Sequence, residues 1–243
     1  VAPLDREDAI VKLLICCPIA NSLLLPTMRR IVELDTTACE RADIVFLQQP
    51  RGAPEDPRDA VTAQYNAARQ LVLDGGYDAL LTVEADMLPP RNAVRRLAAT
   101  GADVAYGLYI LRRPPWEWSA YSVLEGMAAW PLSRVPERAR REWGEVVEVD
   151  GVGFGCTLIR RKVLEAVRFR ADGLLHADGQ RSYNDWYFGQ DCHMAGFTQK
   201  CDTSVVCGHV HPVGLDGTGG PVVLWPTGSA PFYRAQPFAE ADL

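Results

Sequence analysis

The chain has 243 residues, 48% of them hydrophobic and 23% charged, a globular balance that excludes long-range disorder and supports a core without a disulfide or metal staple. Its formal charge of -6 and pI of about 5.3 argue against a surface built for nucleic-acid phosphates. No apolar run nears the ~20 residues of a membrane span; the longest, near Val11–Ala20, carries Lys12. The start lacks the basic-then-apolar layout of a signal peptide. Seven cysteines form no small-domain framework and read as reduced thiols, so the expected location is cytoplasmic.

In chain order, Lys12–Ala20 is a continuous apolar run, the pattern of a strand buried on both faces. Helical spacing over Leu25–Ala42 follows, with Met28, Ile31, Leu34 and Ala38 on one stripe, and then a second strand, Ala42–Gln48. After the loop Pro50–Pro57, Asp56-Pro57 has the form of an N-cap and first-turn proline. Val61, Tyr65, Ala68 and Val72 mark the next helix face, and Gly75-Gly76 ends it. Asp78–Val83 predicts a third strand that runs into Glu84-Ala85-Asp86. Pro89-Pro90 opens a helix, Gly101 closes it, and Asp103–Tyr109 is a fourth strand. This alternation calls for a doubly wound, mostly parallel α/β sheet with right-handed crossovers and helices on both faces. Leu111–Trp143 interrupts it with Pro114, Pro115, Trp116, Trp118, Trp130, Pro131 and Trp143. The pattern resumes with strands at Glu145–Val149 and Gly151–Ile159 and a helix at Arg161–Val167. A polar loop, Arg170–Tyr183, leads to a helix at Asn184–Ala195 and a short strand at Ser204–Cys207. From Pro212 the chain is rich in Pro and Gly and reads as a tail or lid. With no repeat or clear linker, one domain is the simplest count.

Three constellations carry candidate chemistry. Glu84 and Asp86 stand at the carboxyl end of the third strand, where open α/β sheets bind ligands. Side chains two apart on a strand share a face, so the pair can meet a cation and a nucleotide; the alternative is a pair of solvated acids. Asp185 opens a helix, where a carboxylate serves either as a cap or as a general base. His209 and His211 lie two apart after a short strand, placed either as metal ligands or as structural residues. The absence of a CxxC pair among the nearby Cys192, Cys201 and Cys207 speaks against structural zinc.

Over roughly residues 11–211 the order of these pieces resembles the GT-A-fold glycosyltransferases, of the broad, mostly inverting, family 2-like type that uses nucleotide-sugars. The resemblance is carried by the strand ending at Pro18, the helix with Asn66, Tyr77-Asp78, and the acid-x-acid of Glu84-Ala85-Asp86. It continues through Gly107-Leu108-Tyr109, the Gly-rich Gly151–Thr157 with Leu158-Ile159-Arg160-Arg161, Asn184-Asp185 with Phe188 and Gly196, and Cys207-Gly208-His209. It implies a GT-A-type, Rossmann-like single domain, with 11–110 as nucleotide-binding half, 111–211 as acceptor and catalytic half and 212–243 as tail or lid. It also implies a divalent metal, Mn²⁺ or Mg²⁺, on Asp86 with His209, His211 and Glu84 as further candidates. Asp185 matches the base, with Asp191 as fallback. A UDP- or GDP-sugar is the implied donor, its nucleotide lying against Pro18, Ala20, Asn21, Gln48, Glu84, Ala85 and Asp86. The acceptor would be a sugar or other hydroxyl-bearing molecule, with the Trp-rich insertion as its region. The sequence departs from the family in having Glu84 where the first Asp stands, Tyr65 where many relatives have Arg, and Asn184 where Glu usually precedes the base. A nucleotidyltransferase, or a non-catalytic nucleotide- or sugar-binding protein of this fold, is the alternative reading.

Overall fold

The computed structural model describes residues 10–20, 22–49, 52, 56–125, 128–172, 182–215 and 219–238. The first half runs β1 (Lys12–Ile19), α1 (Leu25–Val32), β2 (Arg41–Gln48), α2 (Pro57–Gly75), β3 (Ala79–Val83), β4 (Met87–Leu88), α3 (Ala93–Ala98) and β5 (Val104–Leu108). The second half runs β6 (Tyr121–Glu125), β7 (Ala128–Pro131), α4 (Pro136–Glu142), β8 (Val146–Glu148), β9 (Cys156–Arg160), α5 (Arg161–Ala166), α6 (Asn184–Met194), β10 (Gln199–Val206), β11 (Gly208–His211), β12 (Val222–Pro226) and β13 (Tyr233–Pro237). Among the described residues the main sheet has seven strands in the order β2-β1-β3-β9-β5-β10-β8. It is mostly parallel: β9 runs against β3 and β5, and β8 against β10.

The central strands β3 and β5 are buried at every position, as a sheet covered on both faces requires. The two faces can be read along β10. Gln199 donates its amide to the Gly189 carbonyl of α6 at 3.0 Å, whereas Asp202, of opposite parity, takes a bidentate pair from Arg96 of α3 at 2.9 and 3.1 Å. Helices therefore cover both faces. The α2 start follows its sequence signal: Asp56 accepts from the Arg58 N–H at 2.9 Å, Pro57 fills the first turn, and Gly76 ends the helix at φ 64°.

Several elements differ from the sequence expectation, each for a local reason. α1 stops at Val32, well short of Ala42, because Asp35 bonds the Thr37 N–H and hydroxyl and turns the chain. The Gly-rich stretch becomes a strand only at Cys156, since Gly153 and Gly155 pass beneath the Tyr109 ring. The last strand of the main sheet starts at Gln199, and β11 then pairs with β4 in a second sheet of order β13-β12-β11-β4. Residues 222–226 and 233–237, within the Pro/Gly-rich stretch, supply its other two strands. The interrupting segment holds the β6–β7 hairpin and α4. Within it, Trp118 is a core residue: it is fully buried, donates its indole N–H to the Phe232 carbonyl at 2.9 Å, and lies 5.6 Å from Trp143. The seven cysteines are free thiols, and burial pushes those of Cys16 and Cys17 up to about 12, the range of inert core residues. No helix among the described residues is long and apolar enough to cross a membrane.

Candidate active site

A cleft of about 810 Å³ opens at the carboxyl ends of β1 and β3. Glu84, Asp86, Tyr109, Arg112, Asn184, Asp185 and His209 supply its polar side, and Pro18, Ala20, Leu24, Val61, Ala85, Pro221 and Phe238 part of its apolar wall. The second sheet explains why distant residues meet here. After β3 the chain turns, with the Met87 N–H on the Glu84 carbonyl at 3.0 Å, and enters β4, whose Met87 is paired with His209 of β11. The Val210 N–H donates to the Asp86 carbonyl at 2.9 Å. This antiparallel register, set by main-chain bonds, holds the acid motif against the histidine.

His209 is buried, and its Nδ1 lies 2.6 Å from the Ile110 carbonyl. A carbonyl can only accept, so Nδ1 carries the proton and Nε2 presents a lone pair. That lone pair faces Asp86 Oδ1 at 3.7 Å, and neither atom has a hydrogen-bond partner among the described residues. Burial pushes the His209 imidazolium down to about 4, against the opposing pull of the Asp86 charge, so the ring is neutral at pH 7. The other Asp86 oxygen holds Arg112 Nη1 at 2.8 Å.

Glu84, two residues earlier, is pushed up to about 8, first by burial and then by the charges of Asp86 and Asp185. Asp185 sits in the first turn of α6 and accepts the Trp186 N–H at 2.8 Å; burial raises its carboxyl against that bond. Tyr109 lies over two glycines, beside Asp185. A Cβ at Gly153 would overlap the Tyr109 hydroxyl and lie 3.1 Å from the Asp185 carboxylate, and one at Gly155 would lie 2.8 Å from the Tyr109 ring. The absence of side chains at 153 and 155 thus leaves room for the Tyr109 ring beside Asp185.

The cleft brings together Pro18, Ala20, Glu84, Ala85, Asp86, Asp185 and His209 from the sequence candidates. Three others stand apart from it. Gln48 is exposed at the end of β2. Asp191 is clamped by Arg170 at 2.7 and 2.8 Å, a structural ion pair that occupies both its oxygens. His211 packs edge-on to Trp116, 5.5 Å between centroids, with Nδ1 on the Val213 carbonyl. Asn21 lies outside the described residues. The sequence reading passed over Arg112 and Gln64. Arg112 sits on a loop without periodicity. Gln64 left a signal: it stands three residues after Val61 on the apolar side of α2, a polar residue where packing expects an apolar one. There it donates to the carbonyls of Ile19 and Leu47 and ties the ends of β1 and β2.

No protein-family model matches the chain, and no curated protein matches it in sequence. Solved structures do match in fold. A197 from STIV superposes with a TM-score of 0.55 at 23% identity, covering 82% of this chain and 85% of its own. GalNAc-T7, solved with UDP, GalNAc and Mn²⁺, superposes with a TM-score of 0.54 at 12% identity over 85% of this chain. The match spans 45% of the GalNAc-T7 chain. At these identities the likeness shows the fold: a mixed α/β, GT-A-like arrangement with a mostly parallel central sheet.

Proposed function

We propose that the protein is a glycosyltransferase that moves a sugar from a nucleoside-diphosphate sugar to an acceptor hydroxyl, with a divalent ion at Asp86 and His209. The observation that carries this reading is the pair of orphaned acceptors, Asp86 Oδ1 and His209 Nε2, facing each other at 3.7 Å in a buried wall of the cleft. Two lone pairs repel unless a cation stands between them. Among the described residues no group of three His, Cys, Asp or Glu forms a metal site. Asp86 and His209 would therefore supply two ligands, leaving the remaining positions to the donor diphosphate and water. One imidazole beside oxygen ligands favours Mn²⁺ over Mg²⁺. The ion, when bound, supplies Lewis-acid neutralisation of the charge that builds on the leaving diphosphate. The GT-A-like fold shared with GalNAc-T7, whose structure holds UDP and Mn²⁺, supports the same reading.

The chain's own residues do the rest. The apolar wall of Pro18, Ala20, Leu24 and Val61 suits a nucleoside, with Gln64 holding the strand ends beneath it. Glu84, lining the same wall two residues before Asp86, can hydrogen-bond a ribose or sugar hydroxyl. Asp185, lining the same cleft as the acid motif, takes the proton of the incoming hydroxyl. A base on the face opposite the leaving group gives in-line attack and inversion.

Calorimetry of UDP or GDP binding, with Mn²⁺ and then with EDTA, tests the reading. Affinity should rise roughly tenfold or more with the metal, and Asp86→Asn should remove that increment while the fold survives. Equal affinity in both conditions would sink the metal-bound diphosphate.

A further inference from the structure

Asp86 has two oxygens with different surroundings. Oδ1 looks at the His209 lone pair with no partner, while Oδ2 is held by Arg112 Nη1 at 2.8 Å. We propose that Arg112 is a built-in counter-cation for Asp86 that competes with the divalent ion and transfers to the donor's diphosphate, so that metal and donor bind together rather than singly. This rests on the glycosyltransferase reading above and adds a binding order to it.

The physical case has three parts. First, charge: a guanidinium on one oxygen of a carboxylate weakens its attraction for a second cation at the other oxygen, and the two cations repel each other across the same group. Free metal therefore meets a site already half neutralised. Second, mobility: the Arg112 side chain is 44% exposed and projects from the loop after β5, whereas Asp86 is 21% exposed and fixed by its main-chain bond to β11. A half-exposed ion pair is weak enough to exchange. Third, complementarity: a guanidinium carries five N–H donors in a planar fork, more than one carboxylate oxygen can satisfy. Arg112 already lines the cleft. A diphosphate entering there offers the bidentate, doubly charged partner that the fork fits best. Its arrival would draw Arg112 off Asp86, free that carboxylate for the metal, and place two cations on one leaving group.

The proposal predicts effects of opposite sign from one substitution. In Arg112→Gln, Mn²⁺ alone, followed by electron paramagnetic resonance of the free ion, should bind severalfold more tightly than to the wild type. In the same variant, UDP in saturating Mn²⁺, followed by calorimetry, should bind roughly tenfold more weakly, the value of one lost charge-assisted contact. Arg112→Lys keeps the charge without the fork, so it should retain wild-type Mn²⁺ affinity and recover only part of the UDP affinity. Unfolding midpoints within a degree or two of wild type confirm that each variant is folded. If both affinities fall in Arg112→Gln, Arg112 supports the metal site instead of opposing the metal, and the proposal is overturned. If neither changes, the ion pair is a bystander and the proposal is likewise overturned. A wild-type protein that binds no nucleoside diphosphate with or without metal removes the glycosyltransferase reading itself, which separates that failure from the other two.

Discussion

Residue by residue, environment sorts the carboxylates. In the cleft burial raises Glu84 and Asp185, whereas Asp191, outside it, is ion-paired with Arg170. Asp185 is the one whose role substitution tests most cleanly. In Asp185→Asn the Trp186 N–H keeps an acceptor, because the amide oxygen replaces the carboxylate oxygen, so the α6 start should hold. Turnover should fall by a factor of ~10²–10⁴, the usual cost of a lost general base, with donor affinity unchanged. Full activity in that variant would reduce Asp185 to an acceptor for a first-turn N–H. The acid motif and Asp185 were legible because each is a polar break beside an apolar run: Glu84 after Leu80–Val83, Asp185 at a helix start. His209 was legible as a histidine past a strand, but its choice over His211 was not. That choice depends on the register Met87↔His209, a pairing between residues far apart in sequence. Arg112 left no trace, since a loop side chain that reaches a carboxylate 26 positions earlier obeys no local period.

The elements repeat this contrast. β1, β3 and β5 were plain because burial on both faces writes an unbroken apolar run into the sequence. β12 and β13 were not: they lie among Pro and Gly, β13 is almost wholly exposed, and they are held by pairing, β12 on β11 and β13 on β12. The chain approaching β9 was mistaken for strand because its glycines serve close packing, not a ladder. A substitution there has a defined outcome. Gly153→Ala puts a methyl group onto the Tyr109 hydroxyl and against Asp185, so the Tyr109 ring or the α6 start must shift. The cost should be ~1–3 kcal/mol of stability from overpacking, read as a lower unfolding midpoint, with turnover falling more steeply than nucleotide affinity. An additional Tyr109→Phe change removes the clashing oxygen and should recover part of the stability. If the double variant is no more stable than Gly153→Ala alone, the Tyr109 contact is not what the glycine serves.

For the molecule as a whole, the cleft sets how stability responds to pH. In metal-free protein Glu84 keeps its proton to about 8 in the folded state, against 4.5 ordinarily. Between those values the folded chain binds more protons than the unfolded chain, so its contribution to stability is present below 4.5 and is lost as pH rises toward 8. His209 works in the opposite direction. Its folded value is about 4 against 6.5 ordinarily, so its contribution is complete above 6.5 and is lost as pH falls toward 4. The two slopes oppose each other between 4.5 and 6.5, and above 6.5 the Glu84 slope acts without the histidine's. Asp185, raised in the same sense as Glu84, does not offset it. The unfolding midpoint in EDTA should therefore decline from pH 6.5 to pH 8, and Glu84→Gln should flatten that decline, a difference on the order of 1–2 kcal/mol at the alkaline end. Mn²⁺ with UDP should flatten it in the wild type as well: a cation beside the acid motif favours ionised Glu84, and a ligand bound only to the native state raises its stability. Circular dichroism melts of both proteins across this range, with and without metal and nucleotide, measure all three slopes. Parallel declines in wild type and Glu84→Gln would show that the buried acid is not the titrating group, and an unchanged wild-type decline with Mn²⁺ and UDP would separate the acid motif from the ligand site.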